Sequence, residues 1–223
     1  MSRVSVRMVA MMLTVLAGTL ACRAGSGASA AVPSPMVDEA KAAARGKETA
    51  VVAGGCFWGI QAVFQHVKGV QSATAGYSGG TVKNPDYEMV SSGETGHAES
   101  VKIVYDPSQV TYGELLRVFF SVALDPTELN RQGPDTGTQY RSVIFYSNDE
   151  QKHVAEAYIA QLEQAKVYPR KIVTQVVPLQ AFYDAEDYHQ NYATIHPSDP
   201  YIVFNDAPKV ANLRKEFPEL YNK

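Results

Sequence analysis

Cys56 stands in Gly54-Gly55-Cys56-Phe57-Trp58-Gly59, after a short apolar run and at the expected start of a helix. A cysteine so placed lies near backbone N–H groups that have no intrahelical acceptor and near the positive end of the helix dipole. Both favour the thiolate, the form in which a cysteine is nucleophilic. The competing reading is a small buried hydrophobe, because cysteine is among the most buried residue types. Phe57 and Trp58 directly after it offer two large aromatic faces. They either wall a site for an apolar substrate group and keep water from the sulfur, or they fill core.

Other residues could share a site with Cys56. Glu99 lies in the alternating run Glu99-Ser100-Val101-Lys102-Ile103-Val104-Tyr105; it is either a solvated charge at a strand edge or an acid whose partial burial beside aromatics keeps it protonated. Tyr87 and Tyr140 are hydroxyl donors or ordinary packing residues, in a chain with 13 tyrosines. Asp135 belongs to a polar loop, where an aspartate usually serves a turn. His97 and His189 invite a Cys–His dyad with Cys56, although neither spacing identifies a base. With five scattered histidines, no zinc-ligand spacing is recognisable.

The elements that must position these residues follow from local pattern. Thr49 to Ala53 reads as a buried strand ended by Gly54-Gly55. Cys56 then opens a helix running to about Val67, and Val70 to Tyr77 is a strand. Tyr87 falls in a short helix or loop after Asn84-Pro85. Glu99 to Tyr105 alternates as a half-buried strand does, and Asp106-Pro107 ends it. Thr111 and Glu114 form a capping box for a helix over Leu115, Leu116, Val118, Phe119 and Phe120. Residues 124 to 139 form a loop longer than a bare connection needs, so they are a candidate for function. Ser142 to Tyr146 reads as a strand, Asp149 to about Lys166 as an amphipathic helix, and Ile172 to Val177 as another strand. The stretch after Asp184 is expected to wrap the domain. Together these predict an α/β (α+β) domain, a two-layer sandwich with a mixed sheet.

A chain of 223 residues suits one domain. A formal charge of -3 with both signs interspersed gives no field to attract nucleic acid. In residues 1–30, Arg3 and Arg7 precede an apolar run from Met8 to Ala21, and Ala28-Ser29-Ala30 closes the segment, the layout of a secretory signal peptide. A second reading is cleavage before Cys22 and a lipid anchor through it, although Thr19 stands where leucine is usual. Residues 31–47 are expected to be a flexible tether, and residues 48–223 the domain. Export would deliver the chain to the periplasm, with Cys56 as the lone cysteine if Cys22 leaves with the signal.

The ordered segments identify a resemblance. Gly55-Cys56-Phe57-Trp58-Gly59 resembles the signature of the A-type peptide methionine sulfoxide reductases. It is followed in order by Gly76-Tyr77-Ser78-Gly79-Gly80, Asn84-Pro85-Asp86-Tyr87, Gly96-His97-Ala98-Glu99, Asp125-Pro126-Thr127, Asn130-Arg131-Gln132-Gly133, Gly137-Thr138-Gln139-Tyr140-Arg141-Ser142 and Tyr188-His189-Gln190-Asn191-Tyr192. The resemblance implies a ferredoxin-like sandwich and thiol-dependent reduction of the S epimer of methionine sulfoxide. By the family's pattern Cys56 attacks the sulfoxide sulfur, Glu99 protonates or hydrogen-bonds the oxygen, and Tyr87 and Tyr140 add hydroxyl donors. Phe57 and Trp58 hold the methyl group, and Asp135 helps hold water or substrate backbone. Glu186 and His189 are then supporting residues.

The resemblance also implies a turnover route. No cofactor or metal is needed; an external thiol, expected to be thioredoxin-like, restores a Cys56 sulfenic acid. Many relatives carry further cysteines near the C-terminus for this step, whereas Asp199 to Lys223 here contains none. The expected partners are oxidised proteins or peptides and the thiol reductant, and the chain is expected to be a monomer. From the residues alone, two other readings stay open. One is a thiol hydrolase or acyl transferase using Cys56 with His97 or His189. The other is a binding module in which the aromatics cage a thioether or methylated ligand and Cys56 is inert.

Overall fold

The computed structural model describes residues 32–223. The expected signal peptide and the alternative anchor at Cys22 lie outside the described residues. Strand β1 (Glu48–Ala53) leads into helix α1 (Phe57–Gln65), and β2 (Val70–Ser78) returns. The short α2 (Tyr87–Ser91) precedes β3 (Ala98–Tyr105), and α3 (Tyr112–Val118) continues as a π-helical turn over Phe119–Ala123. Next come the two-residue strands β4 (Arg131–Gln132) and β5 (Asp135–Thr136) and a 3-10 turn, Thr138–Tyr140. Strand β6 (Val143–Tyr146), helix α4 (Asp149–Gln164), β7 (Gln175–Pro178) and β8 (Phe182–Asp184) follow. The chain ends through a 3-10 turn at Asp187–His189, α5 (Tyr192–Ile195), a π-helical turn at Ile202–Asp206 and α6 (Ala207–Glu216).

The fold is mixed α+β. Six strands form one sheet in the order β7-β6-β1-β3-β2-β8, with β6 and β7 parallel and the other neighbours antiparallel. Strand β1 is apolar without alternation because both its faces are covered. Ala50 and Val52 join the main core with Phe57, Ile60, Phe64 and Leu115, while Val51 and Ala53 join a smaller cluster with Ala98, Val143 and Phe145. The expected capping box forms: Thr111 Oγ1 accepts from the Glu114 N–H, and Glu114 accepts from the Thr111 N–H. The segment after Asp184 packs α5 and α6 on α1 and ends in a bridge between Val67 and Tyr221.

Three expectations change. Strand β3 is not half-buried along its length: it lies between β1 and β2, and Glu99, Ser100 and Val101 are all buried. The loop over 124–139 contains the β4–β5 hairpin, and β8 adds an edge strand that its three residues gave no pattern to reveal. Residues 32–47 carry neither helix nor strand, yet they are not a free tether. The Tyr158 hydroxyl donates to Pro33 O at 2.7 Å, Gln161 Nε2 donates to Ser34 O at 2.8 Å, and Asp38 accepts from Thr111 Oγ1 and from the Gly113 N–H at 2.8 Å. Polar side chains of α4 satisfy the strap's backbone, and the strap's Asp38 carboxylate in turn takes donors at the start of α3, so the strap lies fixed without regular structure of its own.

Candidate active site

Cys56 is the residue before α1, 7 % exposed, and the geometry of the preceding turn explains its two glycines. Gly55 has φ +94°, a left-handed conformation that glycine adopts at little cost. A Cβ there would meet the Gln132 side chain at 2.6 Å. Gln132 in turn accepts from the Asp125 N–H at 2.8 Å and donates to Asp125 O at 3.1 Å. The bare backbone at Gly55 thus lets the 124–137 loop close beside Cys56.

The register of β2 against β3 places Tyr77 opposite Glu99, and Glu99 is 2 % exposed. The first backbone N–H of α1, that of Phe57, donates to Glu99 Oε2 at 3.0 Å. Burial pushes the Glu99 carboxyl up to about 8, and Asp135 and Asp206 push the same way. The Phe57 N–H and the Cys56 thiol act against them. Glu99 is therefore a neutral acid at neutral pH.

The same environment acts on Cys56. Burial first, then the carboxyls of Glu99 and Asp206, push its thiol well above the ordinary value, against smaller pulls from the Trp58 N–H and Lys209. The expected resting thiolate is thus corrected: desolvation outweighs the helix dipole, and the group at rest is a thiol.

Phe57 and Trp58 are held by aromatic neighbours. Trp58 stacks on Tyr192 with ring centroids 3.8 Å apart and planes within 9°, and Tyr201 meets it edge-on at 5.8 Å. Its indole N–H donates to His189 Nδ1 at 3.2 Å. His189 lies 5.0 Å from the Phe57 ring and 4.5 Å from the Tyr87 ring, and burial lowers its pKa, which favours the neutral acceptor form. Tyr87 begins α2, which Asp86 caps by accepting from the Met89 N–H at 2.8 Å. Glu186 accepts from the Tyr87 N–H and from the Tyr77 hydroxyl, each at 2.8 Å, so one carboxylate fixes both tyrosines.

On the opposite side, Tyr140 ends the 3-10 turn, whose Gln139 donates to Ser91 O at 2.9 Å and ties the turn to α2. Burial and the nearby Glu99 push the Tyr87 and Tyr140 phenols up, so both remain hydroxyl donors. Asp135 in β5 accepts a short hydrogen bond from the Tyr201 hydroxyl.

Cys56, Phe57, Trp58, Tyr87, Glu99, Asp135 and Tyr140 line one cavity of about 220 Å³, together with Tyr201. All seven residues singled out in the sequence therefore converge. Tyr201 and Asp206 were missed, and Tyr192, although it stands in one of the resembling segments, was given no role. All three belong to the wrapping segment, whose folding back on α1 has no periodic signature; the hints were Tyr192 in a resembling segment and an aromatic after Pro200. A larger cavity of about 500 Å³, beside Arg117 and Phe217, holds none of these residues.

Neither of the two histidines weighed for a Cys–His dyad lines the cavity with Cys56. His97 accepts from the Gly80 N–H at 3.1 Å through Nδ1 and holds Val82 O at 2.7 Å through Nε2, which fixes the 79–82 turn. His189 Nδ1 is taken by Trp58. The arrangement offers a thiol, a neutral carboxylic acid and two phenols around a space walled by aromatics. That set can attack a soft electrophilic atom while giving a proton to an oxygen bound to it.

Comparison with known proteins is consistent with this chemistry. Residues 48–221 match the family profile described as Peptide methionine sulfoxide reductase. The chain is 61 % identical over 181 residues to the peptide methionine sulfoxide reductase MsrA 2 of Mesorhizobium japonicum, covering 81 % of this chain and 93 % of that one. It is 51 % identical over 193 residues to the MsrA 2 of Synechocystis, covering 86 % and 90 %. Among solved structures, the methionine sulfoxide reductase A of Corynebacterium diphtheriae superposes with TM-score 0.60 at 38 % identity, covering 69 % of this chain and 77 % of that one. Reduced Mxr1 from Saccharomyces cerevisiae gives 0.62 at 31 % identity, covering 74 % and 92 %. The family profile spans essentially the whole described domain, and the chain belongs to the peptide methionine sulfoxide reductase family, A type.

Proposed function

We propose that this chain reduces methionine sulfoxide in oxidised proteins and peptides, and as the free amino acid, to methionine, acting on the S epimer with electrons from thiols. The observation that carries the reading is the meeting of Cys56 with Glu99, an acid held neutral up to about pH 8, in one aromatic-walled cavity.

In this reading the sulfoxide methyl rests against Phe57 and Trp58, and its oxygen points to Glu99, Tyr87 and Tyr140. Hydrogen bonding makes the sulfoxide sulfur electrophilic, and Cys56 sulfur attacks it. The thiol proton and the Glu99 proton are available to the oxygen, so no free oxide is ever formed. The attack forms a bond between Cys56 sulfur and the substrate sulfur while the oxygen takes up both protons and leaves as water. Water then adds to Cys56 sulfur, the sulfur–sulfur bond breaks to release methionine, and one proton returns to Glu99, leaving a Cys56 sulfenic acid. Asp135 and Tyr201 hold water or substrate backbone at the rim.

Among the described residues Cys56 is the only free cysteine, so an external thiol completes the cycle. One thiol attacks the sulfenic acid and releases water, leaving a mixed disulfide; a second releases Cys56. No cofactor or metal enters these steps. A thioredoxin-like protein is the proposed reductant.

The remaining parts of the reading concern setting and architecture. Residues 1–30 act as a signal peptide for export to the periplasm, or Cys22 anchors the chain to lipid, and the enzyme works as a monomer. The β6-β1-β3-β2 order, with α1 and α3 as its crossovers, supports a ferredoxin-like sandwich extended by β7 and β8. The mass of the exported protein distinguishes cleavage after Ala30 from lipidation at Cys22.

The deciding experiment omits the reductant. Reduced protein mixed with a peptide containing methionine S-sulfoxide is expected to form one methionine per chain while Cys56 gains one oxygen, and the R epimer is expected to be left unchanged. No methionine and an unmodified Cys56 would overturn the reading and return the acyl-transfer and binding alternatives.

A further inference from the structure

Asp206 is 0 % exposed, deep behind the first turn of α1. Its Oδ1 lies 3.1 Å from Lys209 Nζ, and its Oδ2 has no hydrogen-bond partner among the described residues. The contact with α1 is at Gly59, three residues after Cys56. A Cβ on Gly59 would lie 2.1 Å from Asp206 Oδ1 and 2.8 Å from Lys209 Nζ. The turn that presents Cys56 therefore carries a glycine where a buried carboxylate and its cation press against it. Such a pair contributes little net stability, since desolvation offsets most of its attraction, and half-satisfied buried charges are costly to keep. A functional return is the better account of it.

We propose that Asp206, paired with Lys209, is a positioning residue that keeps Cys56 and Glu99 protonated until a sulfoxide occupies the cavity. A buried negative charge behind α1 opposes a second one at the sulfur and a third at Glu99. The thiol then resists alkylation and stray oxidation at rest, while the acid stays loaded for transfer.

The groups facing this cluster come from several elements. Glu99 comes from β3, and Asp206 and Lys209 from the C-terminal segment; all three act on Cys56. Asp135 from β5 acts on both Glu99 and Asp206. Burial raises the phenols of Tyr87, Tyr140, Tyr192 and Tyr201, and Cys56 pushes each of them the same way. Asp206 is itself raised by burial and held down by Lys209. Asp206 acts on both reacting groups without itself lining the cavity.

The inference rests on Cys56 and Glu99 being the reacting pair, and its first test reads Cys56 without any sulfoxide. The rate of alkylation by iodoacetamide is measured against pH for the full chain and for Asp206→Asn and Asp206→Leu. Both variants are expected to move the profile to lower pH by about one unit, about tenfold faster alkylation at a fixed pH below the midpoint. The high-pH limb of sulfoxide reduction is expected to move down in parallel. Two variants that pack differently guard against a folding artefact, and thermal unfolding confirms that each is native. Profiles that overlay the parent in both variants would overturn the proposal. Shifted alkylation with no sulfoxide reduction by the parent chain would leave the positioning role standing and remove the sulfoxide reading instead.

Discussion

The Phe57 N–H donates to Glu99 Oε2 at 3.0 Å, so the first free donor of the helix that presents the nucleophile is used on the proposed acid. This bond fixes Glu99 beside Cys56 and partly offsets its burial, yet the carboxyl still rises to about 8. The acid is loaded below that value and spent above it. Turnover is therefore expected to fall as pH rises through about 8. Glu99→Gln keeps an oxygen for the Phe57 N–H but has no proton to give, and is expected to lose about 10²- to 10⁴-fold in rate. Rate against pH for the two proteins checks both points; a variant with full activity would remove Glu99 from the chemistry.

The same carboxyl carries a stability cost of definite sign. In the unfolded chain Glu99 titrates near 4.5, in the folded chain near 8, so between those values the folded state binds more protons. Stability is then lost as pH rises from about 4.5 to about 8, on the order of a few kcal/mol at most. Glu99→Gln removes that slope. Denaturant unfolding at pH 5 and pH 9 is expected to show the variant gaining on its parent at the higher pH while remaining catalytically poor.

The sequence and the fold meet most closely where function is local. Cys56, Phe57 and Trp58 lie together in the chain, and the capping box at Thr111 and Glu114 is readable because helix caps depend on neighbours three residues apart. Glu99 could be placed on its strand, but its burial depends on β1 and β2 flanking β3, a pairing that no local pattern encodes. The placement of Tyr201, Tyr192 and Asp206 at the site was illegible for a stronger reason: they reach it only because the wrapping segment folds back on α1. The resting thiol was misjudged because the dipole of α1 is visible in sequence, whereas the burial and carboxyls that oppose it are not.

Glu186 holds the Tyr77 hydroxyl and the Tyr87 N–H without lining the cavity itself. Glu186→Ala leaves both donors without this acceptor, and the start of α2 loses its anchor. The expected cost is about 2 kcal/mol of stability, with a fall in kcat larger than any rise in KM, since Tyr87 is proposed to act on the oxygen in the transition state. Unfolding together with steady-state kinetics separates these effects. An unchanged kcat would mean that α2 is placed by other contacts.

The strap provides the contrasting case. Asp38 accepts from Thr111 Oγ1 and the Gly113 N–H at the start of α3, and none of the three lines the cavity. Asp38→Ala is expected to cost about 1–2 kcal/mol and to leave kcat and KM as they are. Chemical denaturation and an activity assay on one preparation check this; a kinetic defect in a natively folded variant would show that the strap reaches the site.

Trp58 is the only tryptophan in the chain, and it lines the cavity, so intrinsic indole fluorescence reports on the site alone. Its ring is already committed on one face to Tyr192 at 3.8 Å and at its N–H to His189, which leaves little freedom to respond unless a ligand arrives. Cys56→Ser holds the site intact and stops oxygen transfer. Titration of that variant with a methionine sulfoxide peptide is expected to change the emission saturably, and the matching methionine peptide is expected to bind more weakly because it lacks the oxygen that Glu99, Tyr87 and Tyr140 would hold. Equal titrations with the two peptides would mean that Phe57 and Trp58 grip the methyl group but the donors do not engage the oxygen. The sulfoxide would then be recognised only during reaction.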